Sequence, residues 1–178
     1  DEYDNVRFLA GARYRLSEIS DLAAEAGIRS TEQTVQDTVD GRTRTEQSSG
    51  PSFNLTYSRQ FEAGGGFTLG ARRDLTPSSG TEVVDSTGIV ASLSLPLRPQ
   101  WQFGITANAF RNRTPSGESE GGDETAFSIG PSLSYKIARS WGISLGYLFR
   151  SQDLGGGGED AVSNAVYLNL SWASPRNL

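Results

Sequence analysis

Residues 126–149 read AFSIGPSLSYKIARSWGISLGYLF, and their alternation decides the fold. Phe127, Ile129, Pro131, Leu133, Tyr135 and Ile137 occupy the odd positions, and Ala126, Ser128, Gly130, Ser132, Ser134 and Lys136 the even ones. After Ala138-Arg139-Ser140 the pattern resumes, with Trp141, Ile143, Leu145, Tyr147 and Phe149 set against Gly142, Ser144, Gly146, Leu148 and Arg150. A period of two means β-strands with a bulky apolar face and a small or polar one. The short break makes the two strands an antiparallel hairpin. Gly, Ser and Ala fill a water-soluble core poorly, whereas bulky side chains facing lipid around a polar lumen give this pattern directly. Aromatic residues at both ends of an apolar run, here Trp141 and Phe149, suit the two membrane interfaces. The expected fold is all-β, a transmembrane antiparallel up-and-down β-barrel.

Working toward the N-terminus, Phe8, Ala10, Ala12, Tyr14 and Leu16 alternate in a first strand over Asn5 to Leu16, followed by a break at Ser17 to Asp21. Leu22 to Arg29 alternates too, but Ile19, Leu22, Ala23 and Ala26 also fit a helical stripe. The recurrence of its turn favours a strand. A third strand, about Arg42 to Arg59, carries Phe53, Leu55 and Tyr57; Gly64-Gly65-Gly66 connects it to a fourth with Phe67, Leu69 and Ala71, ending near Pro77. Ile89 to Leu97 makes a fifth strand, and Trp101 to Ala109 a sixth after the turn Arg98-Pro99-Gln100. The quoted hairpin supplies the seventh and eighth, and Val166, Leu168, Leu170 and Trp172 define the ninth. Polar loops are expected at Gln36 to Gly41, Ser78 to Thr81, Arg111 to Glu124 and Ser151 to Asp160. Long and short connections thus alternate, as in outer-membrane barrels. The barrel domain covers residues 1–172 and a short tail 173–178.

Nine strands conflict with the even number usual in bacterial single-chain barrels. The expectation is therefore a barrel of ten or more strands, completed by earlier strands or by another chain. If Ser20 to Ile28 were a helix, eight strands would remain.

Among 178 residues there is no Cys and no His. That removes disulfides, thiolate metal sites and the commonest general base. Ser-His machinery is impossible, and Ser134 beside Lys136 is uninformative among so many serines. The chain is accordingly expected to be no enzyme, with neither cofactor nor metal. A net charge of −5 argues against a nucleic-acid partner. No apolar run approaches the roughly 20 residues of a spanning helix, which says nothing about strands.

By parity, Arg7, Arg13, Arg15, Arg29, Arg72, Lys136 and Arg150 face the lumen, with Glu25 opposing them, while most acids lie in loops. A basic lumen favours passage of anions. Equally, these cations could pair with carboxylates on further strands or a plug. Tyr14, Tyr57, Trp101, Tyr135, Trp141 and Trp172 gather at the short-turn ends, as a periplasmic aromatic girdle would. The small lumen face, with Gly11, Gly27, Gly70, Gly104, Gly130, Gly142 and Gly146, suggests a wide barrel holding water, a plug or a partner.

The Tyr-x-Leu-Ser-x-x-Ser-x-Leu turn from Tyr14 to Leu22 and the closing segment Asn164 to Trp172 resemble uncharacterised bacterial outer-membrane barrels encoded with exopolysaccharide export systems. The resemblance implies a porin-like barrel in the bacterial outer membrane, in contact with its lipid, and a polysaccharide as the passing solute. The first functional expectation is a hydrophilic passage. The alternative is a structural sheath enclosing a lipoprotein or an electron-conduit cytochrome. A secreted soluble β-protein ranks third.

Overall fold

In the computed structural model, residues 2–36, 43–77, 83–113, 123–153, 155 and 160–173 are described. They form nine strands: β1 (Glu2–Ser17), β2 (Ser20–Gln36), β3 (Thr43–Gln60), β4 (Gly66–Pro77), β5 (Val83–Arg98), β6 (Trp101–Arg113), β7 (Glu124–Lys136), β8 (Trp141–Asp153) and β9 (Ala161–Trp172). One sheet holds them in sequence order, every neighbouring pair antiparallel, and no helix occurs among the described residues. Expected loops at 37–41 and 78–81, the centres of those at 111–124 and 151–160, and the tail beyond 173 lie outside the described residues.

The ambiguous second segment is a strand. Its Leu22, Ala24, Ala26 and Ile28 stand opposite Tyr14, Ala12, Ala10 and Phe8, and the same four also meet Tyr57, Leu55, Phe53 and Pro51. As a strand it is paired along both edges, and backbone satisfaction of this kind outweighs a short alanine-rich helical stripe. Several strands also run further than their apolar patterns. β6 continues through Arg111 to Arg113 opposite Thr87 to Asp85, and β8 through Ser151 to Asp153 opposite Phe127 to Thr125. Those residues are polar on both faces, so alternation could not mark them, yet the backbone ladder continues.

The short connections are Glu18–Ile19, Phe61–Gly65, Pro99–Gln100 and Ile137–Ser140. Gly64 and Gly65 adopt φ of +88° and +78°, a region that favours glycine. A Cβ on Gly65 would also lie 2.1 Å from the Ser94 carbonyl oxygen.

Following paired residues across the sheet gives Gly11, Glu25, Asn54, Arg72, Gly88, Phe110, Ala126, Gln152 and Ala161. This row leaves the middle of β1 and arrives at the first residue of β9. The strands are therefore staggered steadily in one sense, as a barrel wall requires.

Burial is inverted relative to a water-soluble domain. Among the described residues Ala126 is the one buried apolar side chain, while Arg29, Thr31, Ser52 and Ser128 are buried. The bulky residues stand outward and exposed, Phe8 at 71% and Val166 at 74%. Outward Phe127 and Tyr135 are eight residues apart on β7, about 27 Å along a strand. With the usual barrel tilt that becomes roughly 19–22 Å of height, close to the apolar band of about 25 Å in outer-membrane barrels.

Candidate functional site

Polar and charged side chains converge on the inward face. Register puts all seven sequence-selected cations on it: Arg7 opposite Arg29, Arg13 opposite Ala23, Arg15 opposite Asp21, Arg72 opposite Asn54, Lys136 opposite Gly142, and Arg150 opposite Ser128. Two groups assemble. Arg7 donates from Nη2 to Asp74 Oδ2 at 2.8 Å, and Arg29 Nη1 meets Asp74 Oδ1 at 3.0 Å. Ser52 donates to the same carboxylate at 3.3 Å, and Arg29 Nε donates to Asn5 Oδ1 at 3.0 Å. Further down the wall Arg13 and Arg15 each lie 3.8 Å from Asp21. Arg72, Lys136 and Arg150 have no ion pair among the described residues.

Three inward carboxylates went unread in the sequence. Asp74 follows Arg72 by two residues and so shares its face; parity alone could have found it. Asp21 was assigned to the turn, which is in fact only Glu18–Ile19. Glu124 was assigned to a loop but begins β7, where it accepts hydrogen bonds from Asn112 at 3.0 Å and Gln152 at 2.7 Å. Among the described residues no three carboxylates gather as a metal site would need.

Small residues hollow the same face. Around Gly70 and Gly88 a depression of about 550 Å³ is lined by Asn54, Thr56, Arg72 and Asn108. Toward the short turns another, of about 330 Å³, is lined by Gln102, Ser134, Lys136, Ser144 and Asn169. Both hollows mix polar and apolar lining, Val90 and Phe110 in the first and Pro96 and Ile143 in the second, and leave space that side chains do not fill.

Outward, Tyr14, Tyr57, Trp101, Tyr135, Trp141 and Trp172 stand at the short-turn end. Trp101 packs on Tyr135 with ring centroids 4.6 Å apart, and Trp141 on Trp172 at 6.5 Å. At the other end Phe127 and Phe149 pair at 6.4 Å. Beyond the apolar band on that side the outward face turns ionic. Arg73 holds Asp85 through two hydrogen bonds of 3.0 and 2.6 Å, and Arg111 and Arg113 both hold Asp123. Hydrogen bonds from Arg113 and Arg111 keep the Asp123 carboxyl below its ordinary pKa.

No family model and no curated protein matches the chain. Among solved structures, OmpT of Vibrio cholerae, an outer membrane protein folded in vitro, matches over 96% of this chain with a TM-score of 0.58 and 12% identity. The fold is that of an outer-membrane β-barrel. An apolar outward band between aromatic ends, on strands rather than helices, belongs in the bacterial outer membrane. The chain spans 55% of the length of that neighbour, and the likeness speaks for the fold alone.

One expectation is corrected here. The exclusion of enzymatic activity does not stand: a fold shared with an outer membrane protein at 12% identity gives no ground for it. The absence of His removes only His-dependent chemistry. Inward carboxylates stand at Asp21, Asp74 and Glu124.

Proposed function

We propose that this chain forms much of the wall of an outer-membrane passage for a hydrophilic, preferentially anionic solute. The observation that carries the proposal is the charge of the inward face. Among the described residues, cations at Arg7, Arg13, Arg15, Arg29, Arg72, Lys136 and Arg150 outnumber the carboxylates at Asp21, Glu25, Asp74 and Glu124. In a low-dielectric wall such a surplus raises the local concentration of anions and excludes cations. The hollows at Gly70 and Gly88 and beside Lys136 leave room for solvent rather than filling the space with side chains. An acidic polysaccharide meets these chemical demands and agrees with the resemblance to barrels encoded with exopolysaccharide export systems.

The test is conductance in planar bilayers with the protein purified from outer membranes. Discrete openings with a reversal potential on the anion side are expected, and Arg72→Glu with Arg150→Glu should move that potential toward cations. A silent barrel retaining a tightly bound subunit would contradict the passage and favour the sheath.

A further inference from the structure

The outward face carries a feature of its own at the long-loop end. Strand pairing sets Arg73, Thr87, Arg111, Thr125 and Asp153 in one row across β4 to β8. The next row toward the membrane centre is Ala71, Ile89, Ala109, Phe127 and Ser151, and below it come Leu69, Ala91, Ala107, Ile129 and Phe149. Alternation therefore stacks Arg113, Arg111, Ala109, Ala107 and Ile105 along the outward side of β6, cations above and small apolar residues beneath. Ile89 on β5 and Phe127 on β7 rise on either side of Ala109, so the wall is troughed there. A groove of about 380 Å³ occupies this place, lined by Thr87, Ile89, Ala109, Arg111, Thr125 and Phe127.

The head of the trough is cationic. Among the described residues Arg111 and Arg113 share one carboxylate, Asp123, to which Arg113 donates at 3.2 Å from Nε and 3.3 Å from Nη2, so one positive charge is left between them. Arg73 is matched by Asp85. Asp153 ends the row on β8; it accepts the Gly155 N–H at 2.8 Å and stands two strands from Arg111, about 10 Å, a Debye length in 0.1 M salt. Thr87 and Thr125 flank Arg111 on the neighbouring strands and bring hydroxyls to the same level. An exposed guanidinium gives up a surface carboxylate at little cost, and a phosphate offers it bidentate, charge-assisted bonds. Long connections of outer-membrane barrels lie outside the cell, so these groups stand at the headgroups of the external leaflet and the trough descends from them into hydrocarbon.

We propose that the outward surface of β5, β6 and β7 binds a phosphorylated glycolipid of the external leaflet, with its phosphate on Arg111 and Arg113 and one acyl chain in the trough over Ala109 and Ala107. Charge selects the phosphate, because it is drawn to the surplus cation that Asp123 leaves. Shape selects the chain, because Ile89 and Phe127 confine it on two sides where alanines let it approach the strand backbone. The threonine hydroxyls and the external position favour a sugar-based headgroup over a glycerol one. The site lies on the opposite face of the wall from the passage and is independent of what crosses the lumen.

Native mass spectrometry of the detergent-solubilised protein tests the site, with lipid A, its dephosphorylated form and phosphatidylglycerol as probes. The wild type should retain lipid A in preference to both others. Equal retention of the dephosphorylated form overturns the phosphate contact, and equal retention of phosphatidylglycerol overturns the glycolipid. R111Q/R113Q should bind lipid A about tenfold more weakly through loss of charge-assisted bonds, while R73Q stays near wild type. Equal weakening by the two variants overturns the assignment to Arg111 and Arg113, as does no weakening by either. Ala109→Phe fills the trough and leaves every cation in place; it should also weaken retention, and unchanged retention overturns the acyl contact. The heat-modifiable folded band on gels identifies the variants that fold, and the comparison of the three probes on the wild type decides the headgroup without any variant. A conducting barrel indifferent to lipid A would defeat this site and leave the passage standing; a silent barrel that retains lipid A would do the reverse.

Discussion

Asp74 and Asp123 each hold two arginines, one cluster inside the wall and one outside it above the apolar band. Inside, Arg29 is only 7% exposed, and Arg7, Ser52 and Asn5 complete a network that ties β1, β2, β3 and β4 together. Outside, Arg111 and Arg113 are more than half exposed, and they join only β6 to the residue preceding β7. The lesson is that identical chemistry has different consequences in the two places. A guanidinium taken out of water depends on its carboxylate, whereas one at the aqueous rim exchanges its partner for solvent at little cost.

The sharpest break of this contrast is Asp74→Ala. It strips Arg29 and Arg7 of their shared carboxylate, and the expected loss is about 3 kcal/mol, the lower end for a broken buried pair because Asp74 itself is partly exposed. Urea unfolding in lipid vesicles measures it; an unchanged midpoint would erase the distinction between the clusters. Next comes a packing change in the same hairpin. A Cβ on Gly27 would fall 1.8 Å from the Phe8 carbonyl oxygen, so Gly27→Ala must push β1 from β2 and should cost about 1–3 kcal/mol. At Gly146 the nearest atoms the same addition meets belong to the Tyr167 ring, which can swing away, so Gly146→Ala should unfold nearer to the wild-type midpoint. Equal losses at both glycines would show that the inner cluster does not depend on close strand approach.

Asp123→Ala should have the smallest effect, with an unfolding midpoint indistinguishable from wild type in physiological salt. Its pH dependence has a defined sign. Because the folded carboxyl titrates below its ordinary value, its contribution is full above the unfolded pKa and disappears as pH falls through the lowered folded one. Acid titration of unfolding should therefore show a small loss in wild type that R111Q/R113Q lacks. A larger effect here than at Asp74 would invert the account.

Strand order and hairpin pairing were legible because alternation is strict wherever one face is apolar. Trp141, Ile143 and Leu145 against Gly142 and Ser144 is such a case. Legibility fails where both faces are polar. Arg111 to Arg113 and Ser151 to Asp153 read as loop yet continue the ladder, because hydrogen bonding needs no hydrophobic pattern. Asp21 and Glu124 were lost for the same reason, lying at strand ends. Asp74 was readable from its spacing to Arg72, but its pairing with Arg7, across three strand steps, is tertiary information that no local pattern carries.

The direct test of the sides is a pair of nitroxide labels on adjacent residues of β8, one at L145C and one at S144C, in the membrane-embedded protein. Collisional relaxation should find the Leu145 position accessible to oxygen dissolved in hydrocarbon and the Ser144 position accessible to a polar nickel chelate. The opposite pattern, with Ser144 meeting lipid and Leu145 shielded from it, would contradict the barrel wall and everything built on its inward face.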